Sequence, residues 1–159
     1  MSTRSMVGKF TDKNQGQFTA RYCHYDGYPS GVGQTIINNW RNNFDNSGAK
    51  IADFLLSTKY GWSVLNDTDF TKPPGWDEKT TGDTPRWYDD REGEEPSHPF
   101  NNQSDLGWIE YAYLFDTEKN LLCIYQVIGN NNLQLLAQVT SRVNISHIED
   151  IEDFNEAKA

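Results

Sequence analysis

The segment "RYCHYDGYPSGVGQTIINNW", Arg21 to Trp40, constrains the fold more than any other, because hydrophobic periodicity changes within it. Upstream, Phe18, Ala20, Tyr22 and His24 alternate with Thr19, Arg21, Cys23 and Tyr25, the period of a strand. Downstream, Val32, Ile36, Ile37, Trp40 and Phe44 recur at helical spacing, with Ser30 as the expected N-cap. Between the two lies a corner. Gly27 tolerates positive φ there, and Pro29 fixes its own φ while holding Tyr28 extended.

The strand before this corner predicts a hairpin. Residues 4 to 10 and 18 to 26 read as two strands joined by the polar loop "TDKNQGQ". Pairing Phe10 with Phe18 sets Gly8 beside Ala20, Met6 beside Tyr22 and Arg4 beside His24. The open end of the hairpin then collects Arg4, His24 and Asp26. A second short helix follows the first, capped by Ser47, with Ile51, Phe54, Leu55 and Thr58 facing inward.

Residues 60 to 107 show no sustained period and hold five of the six prolines and eleven charges between Asp77 and Glu95. Trp62, Phe70, Trp76, Trp87, Tyr88 and Phe100 are spread through this stretch, so it is expected to be an ordered long loop pinned to the core by its rings. The last third reads as a meander. "WIEYAYLFD" and "LLCIYQVIG" are joined by "TEKN", and Leu133 to Ile145 alternate as a third strand. "SHIE" at Ser146 to Glu149 fits a capping box that opens an acidic amphipathic C-terminal helix. The expected fold is therefore α+β over residues 1–159 as a single domain. It is an antiparallel sheet of about five strands in two groups, with two helices after the first hairpin and one at the C-terminus.

The chain has 159 residues and a net charge of -9, unevenly placed. Residues 1 to 59 carry seven Lys/Arg against four Asp/Glu, whereas residues 60 to 159 carry seven against nineteen. Phosphates would meet repulsion over much of such a surface, which disfavours non-specific nucleic-acid binding and directs any anionic ligand to the N-terminal third. The acidic excess serves solubility or, in the run Asp89, Asp90, Glu92, Glu94 and Glu95, offers an acidic face for a basic partner or a nucleic-acid mimic. No run of 18 apolar residues and no secretory h-region is present, so a soluble, cytoplasmic protein without membrane contact is expected. Cys23 and Cys123, a hundred positions apart on strands, read as reduced core thiols.

Chemistry converges on the first corner. Gly31 and Gly33 leave backbone N-H groups at a helix start uncovered, where partial positive charge favours an anion, and Arg4 and His24 flank that position. The candidate ligand-binding set is Arg4, Tyr22, His24, Asp26, Gly27, Tyr28, Gly31 and Gly33. The pattern is neither a phosphate loop of the "GxxxxGK" type nor "GxGxxG". A purely structural role for the same residues is the competing reading: His24 bonds a turn carbonyl, and the glycines permit the corner. His24 and Asp26 at i, i+2 also suit an acid/base pair. A metal site would need distant ligands such as His98 or His147 without recognisable spacing, so no metal or cofactor is expected. Cys23 and His24 point to opposite faces of a strand, which disfavours a nucleophile pair.

"TRSMVG" followed by "YCHYDGYPSGVG" resembles small proteins of tailed bacteriophages that begin with a Thr-Arg-Ser strand and carry a Tyr-Cys-His-Trp-Asp-Gly-Tyr core. The resemblance covers about the first 45 residues, with "EYAYLFD" a weaker echo. Tyr25 stands where those proteins have tryptophan, and the long acidic loop falls outside the match. The resemblance carries over Arg4, Tyr22, Cys23, His24, Asp26, Gly27 and Tyr28, and implies a phage accessory protein without supplying an activity. The expected function is non-enzymatic: binding that inhibits or sequesters a host factor in counter-defence. The target is either an anionic nucleotide-type ligand at the Arg4/His24/Gly31 corner or a host protein met by the acidic run, and self-association is compatible with both. The alternative is a small hydrolase or phosphodiesterase using His24 and Asp26.

Overall fold

The computed structural model describes residues 3–58, 61–66, 70–71 and 99–143, together with the backbone of 86–87. Strands β1 (Ser5–Asp12) and β2 (Gln17–Cys23) form the expected hairpin, with Phe10 opposite Phe18, Gly8 opposite Ala20 and Met6 opposite Tyr22. The loop between them is a 3-10 turn over Lys13–Gln15. Asp12 caps it by accepting from the Gln15 N-H, and Gly16 ends it at φ 68°. Left-handed backbone of this kind costs glycine nothing sterically, which accounts for the residue at that position.

Helices α1 (Gln34–Asn43) and α2 (Gly48–Leu55) follow, as the periodicity predicted. Ser47 caps α2 by accepting from the Lys50 N-H at 3.2 Å. The start of α1 differs from expectation. A π-helical turn over Pro29–Gly33 precedes it, with Tyr28 rather than Ser30 at the cap position and Pro29 as the first helical residue. Proline is suited to that place because its missing N-H would have had no intrahelical partner.

The sheet departs from the expected one in both strand number and sense. Among the described residues it has eight strands. Besides the first hairpin these are β3 (Trp62–Val64), β4 (Arg86–Trp87), β5 (Phe100–Asn101), β6 (Tyr111–Asp116), β7 (Leu121–Ile128) and β8 (Asn132–Val139). The order is β4-β3-β2-β1-β6-β7-β8, with β5 pairing β2 off this path. The sheet is mixed: β1 runs parallel to β6, and β2 parallel to β3. The hairpin and the meander are therefore one sheet rather than two groups, and the described parts of the long 60–107 stretch contribute short strands to it. Residues 144–159, where the acidic helix was expected, lie outside the described residues, as do Trp76, Tyr88 and the acidic run Asp89 to Glu95.

The parallel junction explains the burial. Met6 and Val7 on β1, and Ala112, Tyr113, Leu114 and Phe115 on β6, are all fully buried, because central strands are covered on both faces. One face carries α1 and α2: Val7, Cys23, Tyr113, Phe115 and Ile124 pack with Ile36, Trp40, Ile51 and Leu55. The other is covered in part by Leu106 and Ile109, which close over Met6, Phe18, Ala20, Tyr22 and Leu114. Cys23 and Cys123 are free and buried, as read from the sequence. No helix among the described residues is long and apolar enough to cross a membrane.

Candidate functional site

β2 does not release the chain at Cys23. The His24 N-H donates to the Trp62 carbonyl at 3.0 Å and the Tyr25 N-H to the Ser63 carbonyl at 3.2 Å, so the ladder with β3 carries both residues past the strand end. Asp26 then turns the chain with φ 58°, a left-handed conformation that aspartate tolerates better than most residues. From there the corner is held by backbone bonds. Gly27 N-H donates to the Thr3 carbonyl at 2.9 Å, and the buried Tyr113 hydroxyl donates to the Gly27 carbonyl at 2.5 Å.

The glycines of the corner are occupied by packing. A Cβ on Gly27 would lie 2.6 Å from Ser5 Cβ, and one on Gly31 would clash with the Asp26 carbonyl oxygen. The helix-start amides are also engaged: Gly31 N-H donates to the Tyr28 carbonyl and Val32 N-H to the Asp26 carbonyl, both at 2.9 Å. Gly31 and Gly33 are buried. The open anion cradle expected from the sequence at this helix start is thus not left by the structure, because the carbonyls of Asp26 and Tyr28, just before the π-helical turn, take those donors.

What the hairpin end does bring together is Arg4, Tyr22 and His24. Tyr22 and His24 share the face turned away from the helices, and the Tyr22 hydroxyl lies 2.5 Å from His24 Nδ1. Arg4 is anchored through its backbone: its N-H donates to the Glu110 carboxylate at 3.0 Å and its carbonyl accepts from the Glu110 N-H at 2.9 Å. Its side chain is exposed and close enough to act on His24 electrostatically. Burial first, and the Arg4 charge second, lower the pKa of His24. Both effects favour the neutral imidazole. The Tyr22 hydroxyl and His24 Nδ1 share one hydrogen bond, and the imidazole tautomer sets which of them donates.

Aromatic rings frame this group. Trp108 stands 4.8 Å from the Tyr22 ring and 5.7 Å from Phe100, and remains 47% exposed. Tyr25 packs edge-on against His24 at 4.5 Å and is 44% exposed. A cavity of 280 Å³ is lined by Gly107, Ile109, Glu110, Gln126 and Asn130 among others. Sequence reading missed Trp108, Tyr25 and Glu110 as site residues. Only the parallel pairing of β1 with β6 carries the segment before Tyr111 to the Arg4 end of the hairpin, and no local pattern announces that pairing.

Asp26 stands apart from this group. Its carboxylate accepts from the Tyr28 hydroxyl at 3.5 Å, while His24 Nδ1 is directed to Tyr22. Such an arrangement does not form the orienting carboxylate-imidazole bond that an acid/base pair would use. Among the described residues there is no group of three His, Cys, Asp or Glu side chains able to hold a metal ion. A guanidinium, an imidazole and two exposed aromatic faces can together bind an anion that carries a planar ring. No family model, no curated protein and no solved structure matches the chain.

Proposed function

We propose that the chain is a non-catalytic binding protein of tailed-phage type, acting in the host cytoplasm to sequester an anionic nucleotide-type ligand and so blunt a host response. The observation that supports this most is the juxtaposition of the exposed Arg4 side chain with the Tyr22-His24 pair and the exposed ring of Trp108. A guanidinium binds phosphate strongly, and an indole face accepts a base by stacking, at about 1–3 kcal/mol per base. The phage origin rests on the Thr-Arg-Ser and Tyr-Cys-His-Tyr-Asp-Gly-Tyr resemblance.

Thermal unfolding in the presence of linear and cyclic nucleotides tests the reading. A ligand at 100 times its Kd adds about 2.7 kcal/mol of stability, a readily measured rise in Tm. The rise is expected in the native protein, absent in Arg4→Ala and reduced in Trp108→Ala, with the nucleotide recovered unchanged by mass spectrometry. Turnover of the nucleotide that is lost in His24→Ala would establish the hydrolase alternative instead. Absence of any shift, with a host protein captured through the acidic run Asp89 to Glu95, would move the function to protein occlusion.

A further inference from the structure

We propose that β8 is a self-association edge, through which two copies of the chain join their sheets across a two-fold axis at Gln134. The inference is independent of the nucleotide reading. β8 is the terminal strand of the sheet on its side, and among the described residues β7 is its one neighbour in the ladder. An eight-residue edge strand leaves a row of backbone donors and acceptors that template pairing with another strand, and edges of this length are ordinarily guarded by lysine or proline.

Here lysine and proline are both missing. From Asn120 to Ser141 the sequence holds no Asp, Glu, Lys, Arg or Pro, 22 residues spanning the whole β7-β8 hairpin in a chain that is 23% charged. Two of the exposed large apolar side chains, Ile128 at 48% and Leu135 at 39%, lie on this hairpin. A chain of net charge -9 repels its own copies on balance, and this uncharged edge adds nothing to that repulsion. The charge distribution therefore favours a second copy over a charged partner.

The bulge in β8 confines the register to the strand before it. Pairing with β7 is regular from Asn132 to Leu135, with Leu133 opposite Val127 and Leu135 opposite Tyr125, and it shifts at Leu136. Leu133 and Leu135 thus share the face that carries Tyr125 and Val127. Beyond the bulge, Ala137 and Val139 belong to the helix-covered face. Cross-strand neighbours must lie on one face, so an antiparallel copy cannot pair Leu135 with Ala137. Centring the two-fold on Gln134 sets Leu133 against Leu135 of the second copy, and Gln134 against itself. Both leucines then lose their solvent exposure, and the amide side chains pair.

Light scattering at increasing protein concentration is expected to show the mass rising from 18.2 kDa toward twice that value. Leu135→Lys is expected to stay at the monomer mass with an unchanged circular dichroism spectrum. A cysteine at the two-fold meets its copy at about 4.5–5.5 Å between Cα atoms, within disulfide reach. Oxidised Gln134→Cys is therefore expected to form a covalent dimer, and Gln138→Cys, equally exposed but past the bulge, is not. The native thiols are buried and do not compete. A monomer mass at every concentration up to about 1 mM, an association indifferent to Leu135→Lys, or equal crosslinking by both cysteine variants would overturn the proposal.

Discussion

The Tyr22 hydroxyl and the Nδ1 of His24 lie 2.5 Å apart, two residues along one strand face, and this contact gives the imidazole a fixed orientation beside the exposed Arg4 side chain. Burial and the Arg4 charge both hold the His24 pKa below its ordinary 6.5. A depressed imidazole pKa means the folded state binds fewer protons than the unfolded chain, so stability rises with pH across this range. The His24 contribution is full above pH 6.5 and is lost as pH falls from there toward the folded-state value. Arg4→Ala removes the second cause and is expected to raise the His24 pKa and flatten the acid side of the stability curve. Titration of the His24 ring protons by NMR reads the first effect, and urea melts at pH 5 and pH 7.5 read the second. A pKa unmoved by Arg4→Ala would show that the guanidinium does not act on the imidazole.

Gly27 has a role that its neighbours define. A methyl group there would meet Ser5 Cβ at 2.6 Å and the Thr3 carbonyl oxygen at 2.7 Å, so the start of β1 would have to move. Gly27→Ala is expected to destabilise by about 1–3 kcal/mol, as overpacking of a close contact does. Tyr113→Phe, which leaves the buried Gly27 carbonyl without its 2.5 Å donor, should cost about 1–3 kcal/mol. Both are read from chemical-denaturation midpoints. Near-neutral values for both would mean that the corner is loose rather than clamped.

Much of this fold was legible where the determining contacts are local. The Phe10-Phe18 register follows from the alternation of a single hairpin, α2 from Ser47 and its apolar stripe, and the β6-β7-β8 meander from short turns between apolar runs. What could not be read is non-local. The pairing of Ser5 with Tyr111 and of Val7 with Tyr113 joins segments more than a hundred residues apart, and a parallel strand pair needs no turn of its own. In the sequence, Trp62 stands as a ring that pins a loop. It does bury, but as the first residue of β3, whose carbonyl holds His24 in the ladder. The candidate site followed the same division. Arg4, Tyr22 and His24 come from one hairpin and were found together, whereas Trp108 and Glu110 arrive with β6 and were not. The anion cradle at Gly31 failed for a local reason, because the sequence marked a helix start without indicating that its first turn would be π-helical.

Trp62 is fully buried, and its indole Nε1-H donates to the Leu55 carbonyl at 2.9 Å, tying the end of α2 to the edge of β3. The ring stacks on Phe54 at 5.5 Å. Trp62→Phe keeps an aromatic ring but leaves the Leu55 carbonyl unpaired and a void where the larger indole had been. A loss of about 2–4 kcal/mol is expected from the two effects together. Because His24 takes its backbone bond from the carbonyl of the same residue, nucleotide-induced stabilisation should weaken together with the fold. A variant that loses stability yet retains the full ligand-induced shift would separate the β3 edge from the site.

Cys23 adjoins His24 in the sequence but points to the helix-covered face, where burial pushes its thiol up to about 12, with a weak bond to the Tyr25 carbonyl at 3.7 Å. Thiolate is the reactive form, so at pH 8 the folded protein should present almost none of it at this position. Alkylation by iodoacetamide is expected to be slower by at least about 100-fold in the native protein than in urea, where the thiol returns to about 8.5. Cys123, also buried and also raised, should behave alike. Peptide mapping after timed alkylation distinguishes the two positions. Rapid native labelling at Cys23 would mean that the elements packed over this thiol, the two helices and the β3 edge, open readily.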